Sequence, residues 1–273
     1  MFAQKNAIVK LLQDDDQRTV DLVKDQLALQ GSAAIPSLQD LLTMYDERVT
    51  EHVRDVMGRI DSEAAAQQLG GRCGTFAEHD DLEGFCWLLA RAMIPGTEVD
   101  EWRALLDQWA GQVAQYRIPD DTAEDRVRVL AHFMGAQLGF HGNTEDYYNP
   151  DNTLLPRVMT TRLGIPITLT LLYMLVGARC GLRVDGINFP GHFLARHDGV
   201  LFDPFERGRI IGIPECRQIL ARQKLDHQPS HLETATPIAI ARRILANLLY
   251  VYQSDEDIDA AGRVTSWLHA LDR

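Results

Sequence analysis

A β-hairpin is encoded by residues 189–203, which read FPGHFLARHDGVLFD. The dipeptide Asp198-Gly199 is a strong signal for a two-residue loop, because such turns need residues that tolerate positive φ angles. This loop predicts two short strands, at 192–196 and 200–203. A third strand is expected at 184–189, where it ends at a Pro-Gly turn. We therefore predict a small antiparallel sheet in this part of the chain.

The register of the hairpin brings a histidine close to an aspartate. A two-residue loop pairs His197 with Val200, which places Leu194 opposite Asp203. His192 is then a diagonal neighbour of Asp203, about 7–8 Å away at the backbone and within side-chain reach. A histidine oriented by a carboxylate is the base of many nucleophilic enzymes. The same pair can also serve as a buried structural hydrogen bond.

A buried helix is predicted immediately before this sheet. Pro166 suits a first helical turn, where its missing N–H costs nothing. The following residues, 167–178, read ITLTLLYMLVGA and are apolar nearly all round. Arg179 suits the last turn, and Gly181 suits the left-handed position that closes a helix. The pattern predicts an α+β fold that is mainly helical, with the small sheet packed on this helix.

Four motifs in this region resemble the SirB-type transglutaminase-like family. They are Tyr147-Tyr148-Asn149-Pro150, Gly164-Ile165-Pro166-Ile167-Thr168-Leu169, Phe189-Pro190-Gly191-His192-Phe193-Leu194 and Asp203-Pro204-Phe205. They occur in the family's order and spacing, and the resemblance covers roughly residues 75–260. It implies a transglutaminase- or papain-like core over residues 75–225, in which His192 and Asp203 match two members of the catalytic triad.

The nucleophile is the position at which this sequence departs from the resemblance. In a transglutaminase the nucleophilic Cys opens the buried helix, and here Pro166 stands at that position. Cys180 lies at the other end of the helix, roughly 21 Å away at about 1.5 Å per residue. Thr168 is a weak candidate for a replacement nucleophile. The ordinary role of a threonine in a first helical turn is local hydrogen bonding or packing.

The loop before the helix supplies candidate binding residues. Tyr147 and Tyr148 are expected either to line a groove beside His192 or to anchor the loop to the core. Asn149 and Pro166 complete the set of predicted binding positions.

Helical hairpins are expected on both sides of the core. Residues 1–70 contain amphipathic stretches that resemble HEAT-type repeats, although an ordinary helical bundle gives the same pattern. Gly70-Gly71 is expected to be a linker or a helix end. Residues 226–273 contain a polar connector followed by two helices that resemble a TPR-type hairpin.

Composition and charge limit the classes of function. The 273 residues are 45% hydrophobic and 24% charged, as in soluble globular proteins. The net charge of −12 argues against nucleic-acid partners and against anionic membranes. The four cysteines show no CxxC spacing and no HExxH motif occurs, so we predict neither a metal nor another cofactor. The N-terminal residues have no signal-peptide pattern, which favours a cytoplasmic location.

Two functions follow from these observations and remain open. The favoured one is a non-catalytic transglutaminase-like protein that binds another protein or a peptide, because Pro166 has no nucleophilic atom. The alternative is a hydrolase or acyltransferase in which His192 is the base, Asp203 orients it and a non-Cys residue such as Thr168 attacks. A small-ligand pocket around His192 is a third, weaker reading.

Overall fold

The computed structural model describes residues 2–42, 47–116 and 120–273. The described chain is mainly helical, with one four-stranded and one two-stranded sheet, so the predicted fold class is confirmed. It divides into two compact units. One contains Met1–Leu69 and Leu88–Glu98, and the other contains Gly70–Trp87 and Val99–Arg273.

The helices and strands are numbered in chain order. The helices are α1 (Phe2–Leu12), α2 (Gln17–Leu29), α3 (Ile35–Leu42), α4 (Glu47–Gly74), α5 (Phe76–His79), α6 (Leu82–Met93), α7 (Val99–Gln115), α8 (Ala123–Ala131), α9 (Leu155–Thr161), α10 (Pro166–Arg179), α11 (Ile213–Arg222), α12 (Pro237–Ser254) and α13 (Ile258–Leu271). The strands are β1 (His141–Gly142), β2 (Leu163–Gly164), β3 (Asp185–Ile187), β4 (Leu194–His197), β5 (Val200–Asp203) and β6 (Arg209–Ile210).

The first unit is a helical assembly around its own apolar core. Its buried side chains recur at helical spacing, so that each helix turns one stripe inward. The fully buried members of this core include Leu12, Val20, Val49, Val53 and Val56.

The predicted break at Gly70-Gly71 is wrong, because α4 runs through both glycines. Each interior glycine costs a helix about 1 kcal/mol relative to alanine. Leu69 and Cys73 flank the pair and are buried, so the packing of this turn outweighs its poor helix propensity.

The predicted hairpin is present with the predicted register. His197 pairs with Val200 and Arg196 pairs with Leu201 across an Asp198-Gly199 turn. Both turn residues have positive φ angles, 44° and 86°, as this kind of tight loop requires. The register argument is therefore confirmed at the backbone.

The strands are shorter than the sequence suggested at the end away from this turn. We expected 184–189 and 192–196, whereas β3 ends at Ile187 and β4 begins at Leu194. The backbone N–H of Phe189 donates to the carbonyl of Ile187 at 2.8 Å, and that of His192 donates to Phe189 at 3.0 Å. These bonds curl the chain into a turn, and His192 lies in that turn rather than in a strand.

The four-stranded sheet has the order β3-β4-β5-β6 and is covered by helices on two sides. On one side Leu194 and Leu201 pack with Leu220 of α11. On the other, Phe202 packs against Tyr173 of α10, with 5.9 Å between ring centroids. Successive residues of a strand face opposite sides of a sheet, so Leu201 faces α11 and Phe202 faces α10. The expected packing of the sheet on α10 is confirmed.

Helix α10 has the predicted ends. Pro166 lies in its first turn, and Gly181 follows its last turn with a φ of 74°. Arg179 ties the C-terminal end to two earlier helices. Its guanidinium is 2.6 Å from the carboxylate of Glu83 and 2.8 Å from that of Asp107.

Two further pairings were not predicted from the sequence. Strands β1 and β2 form a parallel pair of two residues each, which joins the loop before α9 to the segment before α10. The connector before α12 also forms a bridge from Thr234 to Ile187, at the free edge of β3. Alternating patterns are too short at these positions to identify a strand.

The C-terminal helices belong to the same unit as the sheet. Thr236 caps α12 by accepting from the N–H of Ala239, and Asp257 caps α13 by accepting from Ala260. Each helix therefore begins at a residue whose side chain satisfies a free backbone N–H. Helix α12 packs against the short helical turn Pro150–Thr153, which follows the loop that carries the two tyrosines.

A pair of glycine substitutions tests the close packing behind the sheet. A Cβ at Gly135, in the π-helical turn His132–Gln137, would lie 2.3 Å from the carbonyl oxygen of Arg207. We expect Gly135→Ala to lower the free energy of unfolding by about 1–3 kcal/mol, since backbone must move to relieve the overlap.

The matched control is Gly111→Ala in the interior of α7, where an added Cβ meets nothing within 4 Å. This change should raise the free energy of unfolding by about 0.5–1 kcal/mol, because alanine is the better helix former. Urea unfolding followed by circular dichroism measures both values. Equal effects at the two positions would contradict the described packing.

Candidate functional site

His192 and Asp203 form a direct hydrogen bond, with 2.7 Å between Nε2 and Oδ2. The sequence-based expectation that these side chains meet is confirmed. A carboxylate can only accept, so Nε2 carries the hydrogen and donates it. In the neutral ring Nδ1 is then the acceptor, and it makes no hydrogen bond within the described chain. The His192 side chain is 17% exposed and the Asp203 side chain 6%, so the ring is accessible while the carboxylate is buried.

The orientation of Asp203 is fixed by its own backbone turn. Its Oδ1 accepts from the N–H of Phe205 at 2.9 Å, which caps the short helical turn Pro204–Glu206. Its carbonyl accepts from the N–H of Gly208 at 2.8 Å. One carboxylate oxygen therefore holds the turn while the other holds the histidine.

A buried tyrosine lies close to this carboxylate. Burial and the nearby charge of Asp203 both raise the pKa of the Tyr173 phenol, so the hydroxyl stays protonated. This hydroxyl is buried and has no hydrogen-bond partner among the described residues.

The ring of Phe205 packs against the imidazole of His192. Its ring centroid lies 5.9 Å from that of His192, in an edge-to-face arrangement. The phenyl ring packs directly on Gly142 of β1, where an added Cβ would come within 2.3 Å of it. A glycine at this position therefore lets Phe205 lie beside His192.

An aromatic strip extends from Phe205 along the surface. It consists of Phe205, Tyr147, Tyr148 and Tyr250, with successive centroids 6.2, 5.3 and 5.3 Å apart. The three tyrosines are 40%, 60% and 56% exposed. Of the two roles considered for Tyr147 and Tyr148, this arrangement favours the lining of a surface beside His192.

The loop that carries the tyrosines is held by amide side chains. Asn152 is buried, and its Nδ2 donates to the carbonyls of Asp146 and Tyr147 at 2.6 and 3.1 Å. Its Oδ1 accepts from Asn143 at 2.9 Å. Asn149, a predicted binding residue, donates to the Asp146 carboxylate and caps the next turn, so its described contacts are internal to the loop.

The first turns of α10 lie beside the segment that follows His192. The Thr170 hydroxyl donates to the carbonyl of Phe193 at 3.3 Å. Pro166, one turn earlier on the same face, is buried. Thr168 is only 1% exposed, and its hydroxyl has no hydrogen-bond partner among the described residues. The structure therefore brings His192 and Asp203 together but does not bond Thr168 to either.

Three of the four cysteines are held in the protonated form by their surroundings. Burial raises the pKa of the Cys73 thiol to about 12 and also raises the pKa values of Cys86 and Cys216. Cys180 lies at the C-terminal end of α10, where its thiol donates to the carbonyl of Gly177 at 3.3 Å.

The described ranges lack two further kinds of feature, a cluster of metal ligands and a membrane-spanning helix. Residues 2–42, 47–116 and 120–273 contain no group of three or more His, Cys, Asp or Glu side chains placed to hold a metal ion. No helix among the same residues combines the length and apolar character needed to cross a bilayer.

Comparison with known sequences assigns the family. The profile of the transglutaminase-like superfamily matches residues 100–246, more than half of the chain. The chain belongs to the transglutaminase-like superfamily. No solved structure matches it.

Relatives of this superfamily member are found in bacteria and in mammals. A UPF0162 protein of Xylella fastidiosa is 36% identical over 149 residues, which are 50% of this chain and 53% of that protein. The UPF0162 protein PA3419 of Pseudomonas aeruginosa is 32% identical over 63% of this chain and 65% of its own. F-box only protein 21 of Mus musculus is 32% identical over 44% of this chain and 21% of its own. The chain thus spans about half the length of the first of these relatives.

Sequence reasoning missed several residues around the hydrogen-bonded pair of His192 and Asp203, which we call the dyad. Phe205 was noted only as part of a motif, although its position two residues after Asp203 fits an aspartate that caps its own turn. Tyr250 comes from α12, far along the chain, and so does Arg243, whose guanidinium lies 5.3 Å from the ring centroid of Phe193. No local pattern pointed to either residue. A buried amide at Asn152 likewise carries no periodic signal.

The tautomer of His192 gives a direct test of the dyad. We expect nitrogen-15 NMR of the neutral ring to show the hydrogen on Nε2. In Asp203→Ala the ratio of the two tautomers should relax toward that of a free imidazole in water. The free energy of unfolding should also fall by about 1–3 kcal/mol, because the N–H of Phe205 loses its acceptor.

Glu206→Ala is the control for this change, since Glu206 lies in the same turn and only approaches Arg209, at 3.9 Å. Its effect on unfolding should stay within about 0.5 kcal/mol. A wild-type ring with the hydrogen on Nδ1 would contradict the described hydrogen bond.

The thiols should react slowly in the folded protein. Alkylation requires the thiolate, so a raised pKa leaves little reactive form near pH 8. We expect iodoacetamide to label Cys73, Cys86 and Cys216 far more slowly in the native protein than after unfolding in urea, as mass spectrometry of the digests can show. Native labelling of one of these three at the unfolded rate would contradict their burial.

Proposed function

We propose that this chain is a non-catalytic transglutaminase-like protein, of the SirB type, that binds a segment of another protein. The observation that carries this proposal is the position of Pro166. Pro166 and Thr170 lie on one face of α10, and Thr170 bonds to the residue after His192. This arrangement supports the proposal that Pro166 occupies the position of the transglutaminase nucleophile.

Proline cannot perform the chemistry of a nucleophile at this position. It has no side-chain heteroatom to attack a carbonyl, and it has no backbone N–H to stabilise an oxyanion. Thr168, two residues further on, lies about 200° round the helix from Pro166. Its buried hydroxyl makes no bond to His192, which argues against a simple substitution of threonine for cysteine.

The interaction role is supported by the surface beside the dyad. Exposed tyrosines are common at the centres of protein interfaces, because they provide a large apolar area and a polar end. The net charge of −12 continues to argue against nucleic acid and anionic membranes as partners. A cytoplasmic location remains part of the proposal.

An enzymatic role is the second candidate, and the intact dyad is the observation that favours it. The Nε2 of His192 bonds to a buried carboxylate, the ring is partly exposed, and Nδ1 makes no hydrogen bond among the described residues, which suits a general base. In this alternative the chain is a hydrolase or acyltransferase with a non-Cys nucleophile such as Thr168. That step requires a change in the Thr168 side chain, because a nucleophile must come within about 3 Å of its base.

Turnover measurements distinguish the two proposals. We expect wild type, Thr168→Ala and His192→Ala to show the same background rate with a broad set of ester and amide substrates. Wild-type turnover that disappears in either variant, with circular dichroism unchanged, would overturn the non-catalytic proposal.

Restoring a thiol provides the complementary experiment. We expect Pro166→Cys to add one thiol that iodoacetamide labels faster than the native cysteines. The rate should fall in Pro166→Cys combined with His192→Ala, since the imidazole favours the thiolate. Equal labelling rates for the new thiol with and without His192→Ala would contradict the assignment of Pro166 to the nucleophile position.

A further inference from the structure

Arg243 is a half-buried cation beside the dyad, on α12. Its guanidinium lies over the ring of Phe193, 5.3 Å from the centroid, and one of its nitrogens donates to the side-chain oxygen of Asn188. Burial lowers its pKa, which means that the charge is held at a desolvation cost. Within the described part of the chain, no carboxylate lies within salt-bridge distance of it.

The preceding residue shows the usual arrangement for comparison. Arg242 is exposed and pairs with the carboxylate of Asp272 at 2.8 Å. Among the described residues, Arg162 is the other arginine whose pKa is lowered by burial, and its guanidinium lies 4.9 Å from the ring centroids of both Trp109 and Phe140. Arg243 has an aromatic ring on one side and an amide oxygen as its hydrogen-bond partner, without an anion.

The position of Arg243 connects it to the aromatic strip. Phe193 directly follows His192, so the guanidinium stands close to the dyad. Its positive charge also acts on the phenol of Tyr147, where it opposes the rise in pKa that burial causes. Its other N–H groups make no hydrogen bond within the described chain and are not among the buried unsatisfied atoms. They are therefore available to a ligand.

We propose that Arg243 and the aromatic strip form a docking site for a partner-protein segment in which an Asp or Glu side chain adjoins an apolar or aromatic residue. The carboxylate would bind the guanidinium, and the neighbouring side chain would pack on Tyr148 and Tyr250. This inference rests on the proposed binding function and specifies its ligand.

Three physical features support this partner chemistry. A desolvated guanidinium gains most from a carboxylate, which it can bind through two parallel N–H donors. The tyrosine loop is already fixed by the buried Asn152, so little conformational entropy is lost when a ligand binds. The net charge of −12 repels a strongly acidic chain, so an isolated acidic residue in an apolar segment fits better than an acidic run.

A random peptide library displayed on phage provides the probe. Selections are run on wild type, Arg243→Gln and Arg242→Gln, each checked for native circular dichroism. We expect wild type and Arg242→Gln to enrich peptides in which Asp or Glu adjoins an apolar residue. Arg243→Gln should not enrich them. Enrichment without an acidic residue, the same enrichment on Arg243→Gln, or no enrichment at all would overturn the inference.

One enriched peptide is then synthesised and its affinity measured. Replacing its acidic residue by the amide should weaken binding at least tenfold, which is about 1.4 kcal/mol. Arg243→Lys should bind the peptide more weakly than wild type but more tightly than Arg243→Gln. Lysine keeps the positive charge but lacks the two parallel N–H donors of the guanidinium. A peptide that binds through its terminal carboxylate loses affinity on amidation of its C-terminus, and that result would also overturn the inference.

The tyrosines are tested with a control of equal exposure. Tyr148→Ala and Tyr250→Ala should each weaken binding of the peptide about 5- to 30-fold, whereas Tyr116→Ala should leave its affinity unchanged. Tyr116 and Tyr250 are each 56% exposed, but Tyr116 lies at the end of α7 and outside the strip. Equal effects at all three positions would overturn the docking surface.

Mass spectrometry of the incubated peptide separates this inference from the proposed function. Cleavage of a peptide that still depends on Arg243 would overturn the non-catalytic role and leave the acidic docking site standing. If a peptide binds without being cleaved and its affinity does not depend on Arg243, the acidic docking site is overturned and the non-catalytic role stands.

Discussion

The hydrogen bond between His192 and Asp203 is the contact on which the rest of the site depends. It depends on the two-residue turn at Asp198-Gly199, which sets the register of β4 and β5 and so brings Asp203 beside the turn that carries His192. It also requires the turn after Asp203, which aims the carboxylate. Phe205, fixed by the same turn, then lies against the imidazole and begins the aromatic strip. The backbone turns thus position the two side chains of the dyad, and the turn after Asp203 also positions the first residue of the aromatic strip.

The site is assembled from segments far apart in the chain. Helix α10 provides the buried support, the loop before it provides two tyrosines, and α12 provides Arg243 and Tyr250. The tyrosine loop is held by polar contacts that are satisfied internally through Asn152. In contrast, the buried hydroxyls of Thr168 and Tyr173 on α10 have no partner among the described residues. The partly buried charge of Arg243 likewise has no carboxylate within salt-bridge distance in the described part of the chain. Most buried polar groups in folded proteins have a hydrogen-bond partner, so a buried group without one calls for an explanation.

The sequence was most informative where local chemistry alone decides the structure. Asp198-Gly199 specified the hairpin and its register, and Pro166 and Gly181 specified the ends of α10. It was misleading at Gly70-Gly71, because the burial of neighbouring side chains overrides weak helix propensity. It was silent about β1, β2 and the bridge at Thr234, which depend on segments brought together by the tertiary fold. The dyad could be predicted because both of its residues lie in or next to one hairpin. Arg243 and Tyr250 could not be predicted because the tertiary fold brings them to the site from a distant part of the chain.

The double duty of Asp203 has a consequence for comparisons between relatives. One oxygen of its carboxylate holds the imidazole, while the other caps the turn that leads into Phe205. Loss of the aspartate would remove that cap whether or not a chain catalyses a reaction. Selection for a stable turn therefore favours the aspartate independently of turnover. The presence of this residue in a relative is thus not by itself a sign that the relative is an enzyme.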